Sequence, residues 1–197
     1  EAECSYVTYY WQNGIEQTLM MLDYYLYTKD KQFAKETLLP MAESIADFYY
    51  RHYPRKEGKL FISPGQALET YHQADNPTPE LAGLKYTFSK LIDNTEGLMN
   101  FYQKHVIKNL LKEIPDLPIG KDSTGGNVIM PAYTYSKAFS KENAELYPVF
   151  PYRIFGVNKP GIELASNTFN NRGTSFSNCW SQDAIQMAYL GMTEQVR

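Results

Sequence analysis

Residues 14–50 read GIEQTLMMLDYYLYTKDKQFAKETLLPMAESIADFYY. Ile15, Leu19, Leu22 and Leu26 recur at three- and four-residue steps, which places them on one face of a helix over about 12–28. Thr28-Lys29-Asp30 is a short polar break. Helical spacing then resumes over 31–53, with Met41, Ile45, Phe48 and His52 on one side. Pro40 lacks a backbone N–H, so a short helix before it and a main helix after it is the expected division. Two helices joined by so short a break must lie antiparallel, and this decides the fold class: the chain is built from helix pairs.

The pattern continues downstream. Lys56-Glu57-Gly58-Lys59 reads as a turn and Leu60-Phe61-Ile62 as an extended piece. A third helix is expected from Pro79, with Thr78 as N-cap and Leu81, Leu84, Phe88 and Leu91 inward. Asp93 to Glu96 has the spacing of a capping box and predicts a fourth helix bearing Leu98, Phe101, His105 and Leu110. Residues 114–140 carry Pro115, Pro118, Gly125-Gly126 and Pro131 and read as loop, with Val128-Ile129-Met130 as a possible strand. Short helices are expected at 142–148 and 160–171. Ser181 would cap a last helix with Ile185, Ala188, Tyr189 and Met192 inward. The expectation is an all-α domain with long loops and short β pieces near 59–71 and 126–133.

Between the second and third helices lies SPGQALETYHQADNPTPE, residues 63–80. It is too rich in Pro, Gly, Thr and Asn for a helix, and it gathers carboxylates, a histidine, an asparagine and a tyrosine. Loops on a rigid scaffold commonly carry reactive groups. Paired carboxylates in an aromatic cleft suit glycosidic bond hydrolysis, one protonating the leaving oxygen and one activating water. The same residues would also serve as solvated and capping groups of a polar loop. The chain has 17 Tyr, 10 Phe and 2 Trp, which offer flat faces and hydroxyls to a sugar, or fill a core.

Composition excludes other classes. A net charge of −3 is unlike the basic face of a nucleic-acid binder. There is no apolar run of about 18 residues, so no membrane insertion is expected. Cys4 and Cys179 are too far apart in sequence to mark a zinc site or a disulfide framework. His52, His72 and His105 are scattered, so no metal site is expected.

The sequence resembles the six-hairpin glycosidases. The 14–50 run is similar to one of their hairpins. Residues 63–69, SPGQALE, resemble the Ser-Pro-Glu loop of glycoside hydrolase family 95. Residues 68–84, LETYHQADNPTPELAGL, and 145–156, ELYPVFPYRIFG, resemble a related glycosidase-like clade. Residues 180–191, WSQDAIQMAYLG, resemble the family's Gln-x-Asp-Gly-Asn stretch, with Ala184-Ile185 in place of Gly-Asn. That departure leaves the fucose specificity of family 95 behind. The resemblance implies the C-terminal part of an (α/α)₆ barrel, because a closed barrel needs more helices than this periodicity supplies. It implies inverting hydrolysis of a carbohydrate without a cofactor, in a secreted or periplasmic setting, with the rest of the barrel required.

By the same resemblance, Glu69 would be the general acid and Asp183 the base. Tyr71, His72, Asp75, Asn76, Glu80, Arg153 and Trp11 are candidates for binding substrate, with Trp180 a further stacking surface. Asp183 in a first turn could equally serve the helix dipole, as could Glu80. Two alternatives stay open. A polysaccharide lyase would use Tyr71 or His72 as base, with Asn76 or Arg153 neutralising a uronate. A non-catalytic glycan-binding helical domain would use the aromatic loops alone.

Overall fold

The computed structural model describes residue 4 and residues 7–175 and 181–196. Cys179 and Trp180 lie outside the described residues. About half of the chain is helical, and small sheets make up the rest of the regular structure. Among the described residues there is no closed barrel and no large central sheet.

Helix α1 spans Gln12–Thr28, with Ile15, Leu19 and Leu22 buried as the spacing requires. It ends on Lys29 in the left-handed region (φ 58°), whose N–H donates to the Tyr25 carbonyl. Asp30 then accepts from the Phe33 N–H and caps α2, Lys31–Phe33. A π-helical turn, Ala34–Leu38, runs straight into α3, Leu39–His52. The expected division at Pro40 is therefore a local change of pitch, not a break. Pro40 has no N–H for the carbonyl four residues back, and the wider turn ahead of it absorbs that loss.

After β1 (Arg55–Lys56) and β2 (Lys59–Leu60) come β3 (Gly65–Ala67) and β4 (Tyr71–Ala74). Helix α4 spans Thr78–Thr95 and buries Leu81, Leu84, Phe88 and Leu91 as predicted. Its N-cap is Pro77, not Thr78, whose hydroxyl instead donates to the Met130 carbonyl at 2.6 Å. Asp93 lies within α4, so it opens no helix. The fourth major helix, α5, spans Phe101–Glu113 and starts one step later, at a capping box of Asn100 and Gln103. It buries Val106, Ile107 and Leu110, while Phe101 points to solvent.

The four long helices close on one another. Helix α1 packs on α4 and α3, α3 packs on α5, and α5 packs on α4. Gly14 brings α1 close to α3: a Cβ there would lie 2.4 Å from Ile45 Cδ1. Each fully buried leucine between these helices contributes about 1.5–3 kcal/mol.

The remaining elements cover one end of this bundle. Strands β5 (Ile119–Lys121) and β6 (Asn127–Ile129) form a hairpin. Strand β7 (Lys137–Ala138) joins β4, giving the order β3-β4-β7. A 3₁₀ turn, Ala144–Leu146, stands where a short helix was expected. Helices α6 (Ile162–Asn170), α7 (Asp183–Leu190) and α8 (Thr193–Val196) complete the chain. Helix α7 buries Asp183 and Gln186 together with Leu190. Of the residues expected inward, Tyr189 and Met192 pack on a small apolar cluster, whereas Ile185 and Ala188 are exposed.

Candidate active site

The loop of residues 63–78 is pinned by its own polar groups. Asn76 takes φ 46° and is buried, and its Oδ1 accepts the Ile62 N–H at 2.8 Å. Asp75 Oδ2 accepts the Thr134 hydroxyl at 2.8 Å, and its backbone bridges to Thr134. Asp75 fastens the loop to the 131–138 segment, and Asn76 fastens it back to Ile62. His72 packs against Phe139 with ring centres 4.5 Å apart, and its Nε2 lies 3.1 Å from the Glu69 carbonyl. Tyr71 packs edge-on against Tyr135 at 4.7 Å.

Glu69 is exposed at the tip of this loop. Its backbone N–H donates to Glu142 Oε2 at 3.3 Å, and the Glu142 N–H donates to the Thr70 hydroxyl at 3.1 Å. The Glu142 carboxylate is thus held against the Glu69 backbone. Burial pushes the Glu142 carboxyl above the ordinary carboxylate range, and the charge of Glu69 pushes the same way.

Glu16 on α1 is the third carboxyl here. Burial raises it first, and the Glu142 charge adds to that. The Gln12 amide restrains it: Nε2 donates to Glu16 Oε1 at 2.5 Å and lies 3.3 Å from the Tyr152 hydroxyl. Tyr152 reaches this position because residue 83 is glycine. A Cβ on Gly83 would fall 2.5 Å from Tyr152 Cζ.

Tyr10 ties the carboxyls together. Its hydroxyl is raised by burial, and then by the charges of Glu16, Glu142, Glu80 and Glu69. Tyr147 is raised by burial and then by Glu16, Tyr10 and Glu142, while a Gln182 hydrogen bond opposes the rise. Glu80 lies beneath, at the start of α4, fully buried with both carboxyl oxygens unpartnered. Burial holds it well above the usual range.

A second carboxylate group flanks the first. Asp183 Oδ2 accepts from Arg172 Nη2 at 2.7 Å and Nε at 3.0 Å, and both side chains are largely buried. The Arg172 guanidinium also lies 3.8 Å over the Phe169 ring. Asn143, next to Glu142, grips both the N–H and the carbonyl of Thr174 and so joins the two groups. Glu145, one turn on, is pushed up to about 7 by burial; its own N–H, that of Gly173 and the Arg172 charge oppose the rise. Its Oε2 has no partner. The Glu145 charge also raises Tyr71, after burial.

The structure therefore brings Glu69, Glu80 and Tyr71 to one region, with Asp183 alongside through Asn143 and Arg172. It uses Asp75 and Asn76 as fasteners. Trp11 sits at the rim, edge-on to Phe48 at 5.4 Å. Arg153 is elsewhere, ion-paired with Asp23 at 2.6 Å. Glu16, Glu142, Glu145, Tyr10, Tyr147 and Arg172 were not among the residues the sequence reading selected. The signal for Glu16 was its i,i+4 spacing from Gln12, one step off the apolar stripe of α1. Glu142 and Glu145 were visible as charges just ahead of Leu146-Tyr147-Pro148-Val149-Phe150-Pro151.

Among the described residues no three His, Cys, Asp or Glu side chains are arranged to hold a metal ion. No helix among them is long and apolar enough to cross a membrane. No model of a known protein family matches the chain, and no curated protein matches it.

Proposed function

We propose that this chain forms one wall of a glycoside hydrolase cleft and hydrolyses glycosidic bonds with inversion, without a cofactor. The observation that carries the reading is the hold of the Glu142 carboxylate on the Glu69 backbone N–H, both residues being exposed, with Tyr10 and Tyr147 near enough to feel the Glu142 charge. A general acid needs a raised pKa, and desolvation shifts Glu142 in that direction, opposed by the Glu69 N–H. The acid role is thus proposed for Glu142 in place of Glu69, desolvation being the main cause of its raised pKa and the Glu69 charge a smaller contribution. Asp183, anchored by Arg172, is the candidate base. The tyrosine hydroxyls and faces suit sugar hydroxyls and C–H surfaces. The reading carries with it the secreted or periplasmic setting of the resemblance.

The barrel part of the proposal rests on the antiparallel helix pairs and on an open face of α1. Met20, Tyr24 and Tyr27 recur along that face and are exposed, Tyr27 almost wholly. Further hairpins of a parent barrel would cover it.

A lyase reading is weaker on the same geometry. Asn76 and Arg153 are bound to Ile62 and Asp23, and the cluster of Glu16, Glu69 and Glu142 would repel a uronate. The test is product analysis over a panel of neutral and acidic oligosaccharides, using the polypeptide that carries this chain. New reducing ends support the proposal. Unsaturated, ultraviolet-absorbing products would replace it with a lyase, and saturable binding without products would replace it with a binding domain.

A further inference from the structure

A second surface, apart from the carboxylate cluster, has the opposite charge. Lys85 and Lys90 on α4 project beside Arg153 and Lys159, and together they line a cavity of about 320 Å³. Its floor includes Tyr86 and Pro160. The size is at the low end of small-molecule sites, roughly 300–1,000 Å³. Four cations converge here on a chain whose net charge is −3.

Among the described residues, acids reach only Arg153 and Lys85 of these four. Asp23 pairs with Arg153 Nη2, leaving Arg153 Nε buried without an acceptor. Asp116 approaches Lys85 only to 3.7 Å and is itself almost fully exposed. Lys159 donates to the Arg153 carbonyl, which fixes it against the other cations. Burial lowers the Lys159 ammonium, and the charges of Lys90 and Arg153 lower it further. Like charges held this close lack their counter-charge.

The backbone separates this surface from the proposed cleft. Tyr152 turns to Gly83 and Gln12, whereas Arg153, at φ 51°, lies over the Tyr86 ring and pairs with Asp23. Tyr86 is one turn beyond Gly83 on α4. Asp23 is seven residues beyond Glu16 on α1, roughly 10 Å along the helix.

We infer that the Lys85–Lys90–Arg153–Lys159 cavity is a binding site for a tetrahedral oxyanion, a phosphate or sulfate group. The group can arrive as the free ion or as an ester on a sugar whose body rests on the apolar floor. The lysines supply point charges, and Arg153 offers an N–H donor already desolvated. This inference is independent of the hydrolase reading.

The experiment is titration calorimetry at low ionic strength with inorganic phosphate, inorganic sulfate, glucose 6-phosphate, glucose 6-sulfate and glucose. Phosphate- or sulfate-bearing probes should bind and glucose should not, and added salt should weaken binding. Tighter binding of the esters identifies the sugar-borne group; equal binding identifies the free ion. The double variant Lys90→Ala/Lys159→Ala should weaken binding about tenfold, since each exposed charge contributes modestly. Both lysines are exposed, so the variant should melt like the wild type. Absence of binding by every anion, or binding that survives the double variant unchanged, would overturn the inference.

Discussion

Glu145→Gln should change how stability responds to pH. Glu145 is 6% exposed, so solvent screens it little. In the unfolded chain its carboxyl titrates near the ordinary glutamate value; in the folded chain it is pushed up to about 7 by burial. Below the unfolded value both states are protonated, and the group costs nothing. As pH rises toward 7, the unfolded chain releases the proton while the folded chain keeps it, so stability falls. A rise from 4.5 to about 7, at about 1.4 kcal/mol per pH unit, amounts to about 3 kcal/mol lost once pH exceeds the folded value. Gln cannot titrate and keeps the shape, so it removes this loss. Urea unfolding followed by circular dichroism at pH 4.5, 6 and 8 measures it. The variant should gain on the wild type steadily from pH 4.5 to about 7, by up to about 3 kcal/mol, and then hold level. A difference between the two proteins that does not change with pH would refute the reasoning.

Glu142→Gln should lower turnover by about 10²–10⁴ on a glycoside with a poor leaving group and much less on an activated aryl glycoside, in steady-state assays. Glu69→Gln should act indirectly, moving the limb on which the rate falls with rising pH toward lower pH, because Glu142 loses a neighbouring charge that raises it. Arg172→Ala should destabilise the fold by roughly 3–5 kcal/mol in denaturant titration, because Asp183 is left buried without its cation. Gly83→Ala should destabilise despite the better helix propensity of alanine, by about 1–3 kcal/mol, because the new methyl meets the Tyr152 ring. A neutral or stabilising Gly83→Ala would show that Tyr152 can withdraw from Gln12.

The helices that were legible from the sequence are those whose apolar spacing is local. Ile15, Leu19 and Leu22 set α1, and Leu81, Leu84, Phe88 and Leu91 set α4. The start of α5 was misread because Asp93-x-x-Glu96 and Asn100-x-x-Gln103 carry the same signature. Burial of Leu91 and Thr95 carries α4 through the first, and only the second caps a helix. The inward face of α7 was misread for a different reason. Its orientation is set by the Arg172–Asp183 pair, a contact that no local periodicity encodes. At the site, Glu69 was legible because polar loops advertise their carboxylates. Glu142 and Glu16 were not, because what distinguishes them is the neighbours that distant segments bring to them, the Glu69 N–H for one and the charge of Glu142 for the other. Arg153 was read as a substrate-binding candidate, and at φ 51° its guanidinium bonds Asp23, a pairing 130 residues apart that no local pattern announces.

The most direct test of the proposed activity is proton NMR of the first sugar released, comparing wild type with Glu142→Gln. The account predicts a reducing sugar whose anomeric configuration is opposite to that of the substrate, formed far more slowly by the variant from a substrate with a poor leaving group. A product of retained configuration, an unsaturated product, or a variant that hydrolyses such a substrate at the wild-type rate would contradict it.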